Sequence, residues 1–309
     1  MTATNPPGEL RVRASGSEPE GGEQTVAVIG PGRVGTVLAL ALTAVGRRVV
    51  AVAGRGTSGV ERFVAAVPAA VPMPVAAAAR AAPFVLLTVN DDELAGVARH
   101  LASVDAVAEG SRWVHTSGHH GAAVLRPIAL AGGRVAACHP AQTIPTPDLA
   151  AADLEGCAWA VTAAANDRRW AHELVRLLGG DPVDVDEAAR VRYHAGLAVG
   201  SNGTAAVVSL ARDLLLSAGI SAPERFLSDL VTRSAGNAAQ QGAAALTGPV
   251  RRGDTQTVRA HLDDLRTSLP EAVPAYRALA ELALAYARRA GLDSQRALAV
   301  RRILDDMEP

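Results

Sequence analysis

The chain contains no lysine, so all 30 basic residues are arginine and lysine-based acid–base or imine chemistry is excluded. Proton exchange near neutral pH therefore falls to the eight histidines. His194 precedes an apolar stretch, residues 195–200, with Ser201 nearly in line with it on a helix and Asn202 on the same half. It reads as a proton donor or orienter, or alternatively as a buried histidine bonded to backbone or to a partner chain. His115 and Ser117 close one apolar run, and His139 and Thr143 follow the next. At strand ends they would form a polar wall toward a ligand; the alternative is turn chemistry, with Ser117 and Thr143 capping local backbone. Arg252, in residues 246–254 (LTGPVRRGD), offers bidentate recognition of a substrate carboxylate or phosphate, or is a solvated loop arginine. His115, His119, His120 and His139 lack the spacing of a zinc motif, and Cys138 and Cys157 lie elsewhere, so no metal is expected.

These residues need a scaffold, and its clearest mark is Gly30-Pro31-Gly32-Arg33-Val34-Gly35, a G-x-G-x-x-G run between an apolar strand and a helical stretch. Gly30 permits the tight turn, Gly32 lets backbone approach a pyrophosphate, and Gly35 lets the helix pack closely. The helix N-terminus then offers free N–H groups to phosphate oxygens. A second strand, residues 48–53, runs into Arg55, Thr57 and Ser58 with no acid before Glu61. That set suits a 2′-phosphate rather than a ribose 2′-hydroxyl, so NADP (NADPH) is the expected cofactor, although Arg55 also reads as a solvated loop residue. Asn90 and Asp91 end the strand FVLLTV and are placed on the nicotinamide side, unless Asp91 only caps the next helix.

Strand and helix signals alternate from residue 25 to residue 186. Strands are expected at 25–30, 48–53, 73–75, 84–89, 113–116, 135–138, 157–161 and 183–185, with helices near 34–45, 60–66, 92–101 and 168–178. This is the pattern of βαβ units in a doubly wound parallel sheet, an α/β Rossmann-type fold. After Asp186 only helical periodicity remains, at 187–218, 224–245, 255–268, 273–289 and 294–306. The expected layout is a disordered tail (1–24), a dinucleotide-binding domain (25–186) and an all-α domain (187–309) for substrate and dimerisation. Excess apolar surface on the last domain predicts a homodimer. The net charge of −1 gives no pull toward nucleic acid or anionic membrane. No apolar run reaches membrane-spanning length, and two cysteines without a framework fit the cytoplasm.

The chain resembles a Rossmann-like family whose C-terminal half is a domain of unknown function, within the group sharing a 6-phosphogluconate-dehydrogenase-type helical domain. The resemblance rests on residues 30–35, His115–Gly118, His139–Thr143, Tyr193-His194 with Ser201-Asn202, and residues 246–254 with His261-Leu262. Wider relatives include ketopantoate reductase, pyrroline-5-carboxylate reductase and the β-hydroxyacid dehydrogenases. The resemblance implies a nicotinamide-linked, usually dimeric oxidoreductase, without supplying a substrate. The helical-domain lysine of the hydroxyacid relatives, followed by Asn four residues on, has no counterpart here. The sequence thus supports an NADPH-dependent reductase of a small oxo or imino compound, with a catalytically silent NADP(H)-binding sensor or scaffold as the alternative.

Overall fold

Residues 25–144 and 154–306 are described in the computed structural model; residues 1–24, expected as a disordered tail, lie outside the described residues. The chain divides into two units, one reaching Leu197 and one starting at Ala198. The division thus falls later than Asp186, because the first turns of the next helix belong with the sheet.

The first unit is built on eight strands: β1 (Thr25–Ile29), β2 (Arg48–Ala53), β3 (Val71–Pro72), β4 (Phe84–Leu87), β5 (Arg112–His115), β6 (Arg134–Pro140), β7 (Ala158–Ala163) and β8 (Asp181–Asp184). Their spatial order is β3-β2-β1-β4-β5-β6-β7-β8. Helices α1 (Arg33–Ala44), α2 (Thr57–Ala66), α3 (Val75–Arg80), α4 (Asp91–Ser103), α5 (Arg126–Leu130) and α6 (Ala165–Leu177) connect them. Alternate residues feed opposite faces. Val26, Val28, Val49, Leu86, Val114, Ala136 and Cys138 pack on one side, while Ala27, Ile29, Ala51, Val85, Leu87, Trp113 and Val135 pack on the other. A sheet buried on both faces explains why its strands read as continuous apolar runs. β1 pairs with β2 on one side and β4 on the other, so the chain reverses its winding there and opens a crevice at the carboxyl ends of these two strands.

Two elements differ from the sequence-based expectation. β7 runs antiparallel to β6, in register from Ala136↔Ala163 to Pro140↔Trp159, and β8 is parallel to β7. The sheet is therefore mostly rather than wholly parallel. The expected strand at 73–75 is instead the two-residue edge strand β3, and Val75 opens α3. Pro72 and Pro74 stop the ladder, and the alanine run that follows favours helix.

After a 3₁₀ turn at Glu187–Ala189 comes α7 (Arg190–Ala198), the last helix that begins in the first unit. The second unit opens on a π turn (Val199–Gly203) and continues through α8 (Thr204–Ser217), α9 (Glu224–Gln241), α10 (Gly248–Arg252), α11 (Thr255–Ser268), α12 (Val273–Arg289) and α13 (Ser294–Asp305). Its core joins Val250, Val258, Leu262, Leu284, Val300 and Leu304 from α10–α13. By contrast α8 and α9 contain no buried residue. Among the described residues no helix is long and apolar enough to cross a membrane.

Candidate functional site

The carboxyl ends of β1, β2 and β4 enclose a cleft of about 640 Å³, within the range of small-ligand and cofactor sites. Gly30 turns out of β1 at φ +106°, and a Cβ there would lie 2.5 Å from the Thr88 carbonyl carbon. The Thr88 hydroxyl donates to the Gly30 carbonyl at 2.6 Å, and the Gly30 N–H donates to Ala53 O at 2.9 Å. At Gly35 a Cβ would meet that same Gly30 carbonyl at 2.4 Å, so α1 can sit this close only on glycine. Around Gly32, by contrast, the Cβ position is open. Gly32 is also the N-cap of α1 and makes no side-chain cap bond, leaving the first-turn N–H groups directed at the cleft. An open cradle at a bare helix N-terminus fits a pyrophosphate.

Gly30, Pro31, Gly32, Arg55, Ser58 and Asn90 all line the cleft, together with Arg62 and Glu93. Arg55 is 79% exposed and pairs with Glu93 across the cleft. Arg62 was missed in the sequence, where its place one turn beyond Ser58 on α2 was the available signal. The remaining predicted cofactor residues stand elsewhere. Thr57 is the exposed first residue of α2; Arg33 is exposed at the start of α1; and Val34 packs against the core. Asp91 turns toward His119, its Oδ2 lying 2.9 Å from His119 Nδ1.

A second group forms where β5 and β6 end. His139 Nδ1 lies 2.9 Å from the Tyr193 hydroxyl, and its ring meets that of His194 edge-on at 6.0 Å. Both rings pack directly on Gly118: a Cβ there would lie 2.4 Å from His194 Cδ2, 3.0 Å from His139 Nε2 and 3.1 Å from His194 Nε2, so only glycine lets the two histidines come this close. His119, held by Asp91, lies 5.9 Å from the His194 ring. The turn after β4, whose Asn90 lines the nucleotide cleft, thus leads through Asp91 and His119 to the histidine pair. Burial, reinforced by neighbouring His194 and Arg190, pushes His139 from 6.5 down to about 4.

His115 and Ser117 do not join this pair of rings, contrary to expectation. His115 is fully buried; its Nε2–H donates to Gly121 O at 2.9 Å, and its Nδ1 accepts from Ser117 N–H at 3.2 Å. Burial holds it at about 4, although the bond to Gly121 works the other way. Ser117 is buried too and accepts from the His120 N–H at 3.2 Å. Both residues shape the 116–121 loop. Thr143 is exposed, with its N–H on the Gln142 side chain. Ser201 and Asn202 fall in the π turn of the second unit.

Sequence reasoning missed Arg190 altogether. It is 1% exposed, and its guanidinium donates to Thr162 Oγ1 (2.7 Å), Ala137 O (2.9 Å), Ala160 O (3.0 Å) and Ser117 O (3.4 Å). No local pattern separates this arginine from the other 29. In the second unit, Arg252 is 66% exposed and lies 3.8 Å from Asp254. Much of its motif serves helix ends: Gly253 takes the left-handed C-cap of α10, and Asp254 caps α11 through Thr257 N–H at 3.1 Å. Among the described residues no group of three or more His, Cys, Asp or Glu is placed to hold a metal ion.

Two family models match the chain: a Rossmann-like domain over residues 14–140 and a domain of unknown function, DUF2520, over residues 157–283. No curated protein matches at a significant level. Among solved structures, a Bacteroides fragilis protein described as a candidate NADP oxidoreductase has TM-score 0.72 at 22% identity, covering 84% of this chain and 98% of its own. An imine reductase from Myxococcus stipitatus, in complex with NADP+, has TM-score 0.60 at 19% identity, covering 90% and 99%. A pyrroline-5-carboxylate reductase from Coxiella burnetii has TM-score 0.53 at 15% identity, covering 93% and 100%. At these identities the likeness is one of fold.

The two neutral histidines give the unit an acid limit. Unfolded, each binds a proton below about pH 6.5; folded, neither does until about pH 4. Stability is therefore full above 6.5 and falls as pH drops toward 4, by at most about 3 kcal/mol per histidine. Urea unfolding should show this loss between about pH 7 and 5, where most carboxylates stay ionised. His115→Gln, which keeps a donor toward Gly121, should shrink it. A stability flat across that interval would contradict the buried, neutral assignment.

Proposed function

Because the chain joins a Rossmann-like domain to a DUF2520 domain, we propose that it is an NADPH-dependent reductase of a small oxo or imino compound bearing a carboxylate, in the manner of a ketopantoate reductase. The observation that carries this reading is the link from the nucleotide cleft, through Asp91 and His119, to the paired rings of His139 and His194. The imine reductase and pyrroline-5-carboxylate reductase among the fold neighbours favour a C=N or related acceptor.

The residues divide the work as follows. Gly30, Gly32 and the α1 N-terminus hold the pyrophosphate, while Arg55, Ser58 and Arg62 surround the 2′-phosphate. When bound, the reduced nicotinamide supplies a hydride to the acceptor carbon. Tyr193, donating to His139 Nδ1, keeps that ring's proton on Nε2, which then bonds the acceptor's heteroatom. His194, whose ring meets that of His139 edge-on, delivers the proton. A second reading, NADP(H) binding without turnover, is favoured by the absence of lysine. Both cysteines are free, the state kept in a reducing cytoplasm.

The cofactor assignment predicts that NADPH binds more tightly than NADH by about ten- to a hundredfold. Arg55→Ala and Arg62→Ala should each erode that preference, as read by calorimetric titration. Equal affinities in the unaltered protein would end the NADP assignment.

For the chemistry, a panel of oxoacids and cyclic imines should reveal substrate-dependent NADPH oxidation. His194→Ala should then lower turnover by about 10²–10⁴ with NADPH affinity nearly unchanged. Binding with no turnover on any member would support the silent reading. Full turnover in His194→Ala would transfer the donor role to His139 or to solvent.

The second unit is also assigned a homodimer contact. Phe226 and Leu230 on α9 are 59% and 60% exposed, and Val207 and Leu216 on α8 are exposed as well, an apolar surface that a monomer rarely leaves open. Light scattering should give the mass of two chains, and the pair Phe226→Glu with Leu230→Glu should give one. A monomeric unaltered protein at micromolar concentration would refute the contact.

A further inference from the structure

The first turn of α4 carries Asp91, Asp92 and Glu93, a placement that suits the positive end of a helix. Their side chains nevertheless part company. Asp91 turns to His119, whereas Glu93 lines the nucleotide cleft and pairs there with Arg55. Arg55 follows β2 and Glu93 follows β4, and β1 lies between those strands in the sheet. With neighbouring strands about 4.8 Å apart, the two walls stand about 10 Å from each other, and the pair spans that distance. It therefore crosses the cleft at the end of β1, the strand that leads into the Gly30 turn.

The two arginines of this cleft are thus unlike. Arg62, from α2, forms no ion pair among the described residues, while Arg55 is held by a carboxylate of its own chain. Exposure also divides the pair, at 79% for Arg55 and 22% for Glu93, so the arginine is the member free to swing. A pair this open to solvent contributes little to folding and is readily exchanged. A guanidinium presents the same N–H groups to a carboxylate as to a phosphate. Glu93 and a 2′-phosphate on one guanidinium would set two anions side by side, and they would repel each other.

We infer that Glu93 is a positioning residue for cofactor choice, a stand-in for the 2′-phosphate that holds Arg55 across the cleft and yields it when that phosphate binds. The inference rests on the NADP reading of the cleft. A ligand with a 2′-phosphate replaces one anion on Arg55 by another, whereas a 2′-hydroxyl brings no charge and leaves the pair with Glu93 intact. Specificity is a difference of affinities, and Glu93 lowers one member of that difference. The cleft therefore binds the phosphorylated cofactor less tightly than its two arginines allow. On release, Arg55 returns to Glu93.

Calorimetric titration of NADPH and NADH into the full chain tests this role, with Glu93→Gln, Arg55→Ala and the double variant beside the unaltered protein. Glutamine keeps the side chain's length and suits the first turn of a helix, so the thermal midpoint should hold. Glu93→Gln should tighten NADPH by about three- to fivefold, the scale of an exposed ion pair, and move NADH by less than about 1.5-fold. In the Arg55→Ala background the same change should move NADPH by less than about twofold. Glu93→Ala serves the same purpose if Glu93→Gln does not fold. Weaker NADPH binding in Glu93→Gln, an equal gain for NADH, or an undiminished gain without Arg55 would each overturn the role. A preference for NADPH that does not respond to Glu93→Gln would overturn it alone, whereas equal affinities in the unaltered protein would overturn the NADP reading and this role together.

Discussion

A buried guanidinium with no carboxylate among its hydrogen-bond partners holds the functional end of the first unit together. Arg190 spends four donated bonds on a threonine hydroxyl and three carbonyls, drawn from the loop after β5, from β6 and from β7. Burial lowers its pKa without neutralising so strong a base, and the adjacent Cys138 thiol, pushed up to about 12, supplies no counter-charge. A charge in this position is tolerable only because oriented carbonyl dipoles solvate it, and losing any one leaves a costly unpaired donor. Arg190 also opens α7, so Tyr193 and His194, three and four residues on, share its face of the helix. Anchoring Arg190 therefore delivers Tyr193 to His139, and His194 to its packing against Gly118 and His139.

The same cation shapes the electrostatics of its neighbours. Burial is the main reason that His115 and His139 stay neutral, and the nearby Arg190 adds to it. Neutral imidazoles can each donate at one nitrogen and accept at the other. His115 spends both on backbone and so fixes the loop that carries Gly118. His139 spends Nδ1 on Tyr193, and its Nε2 lies against Gly118. Glu187 completes the arrangement from just before α7. Its carboxylate accepts the Ala123 N–H at 3.3 Å and occupies the space that a Cβ on Gly121 would need. Loop and helix are thus positioned against each other by an arginine and a glutamate lying three residues apart in the chain.

The two ends of the sheet differ in how they manage charge. At the carboxyl ends, free helix N–H groups and two arginines surround an open cradle, with Glu93 pairing with Arg55. At the amino ends, arginines gather on an aromatic floor between α1 and α6. Each end collects positive charge over a cavity, and in a chain of net charge −1 this is a matter of placement rather than composition.

The alternation of apolar runs with helical stretches was enough to read the Rossmann-type sheet, the position of its glycine turn and the all-helical remainder. These follow from periodicity and from the few residues able to make a tight turn, both of which are local. Absence is also local information: without lysine, histidine is left as the side chain that titrates near neutral pH, and without an acid between β2 and Glu61 the loop after β2 suits a phosphate. The direction of β7 was not legible, because a two-residue period is the same read either way. Nor was the difference between His115 and His139, which end similar strands. One is sealed by the loop that follows it and the other is met by Tyr193 from 54 residues on. Arg190 was hidden for the same reason. Its partners lie 28 to 73 residues away in sequence, and only the folded sheet brings their carbonyls within reach of one guanidinium.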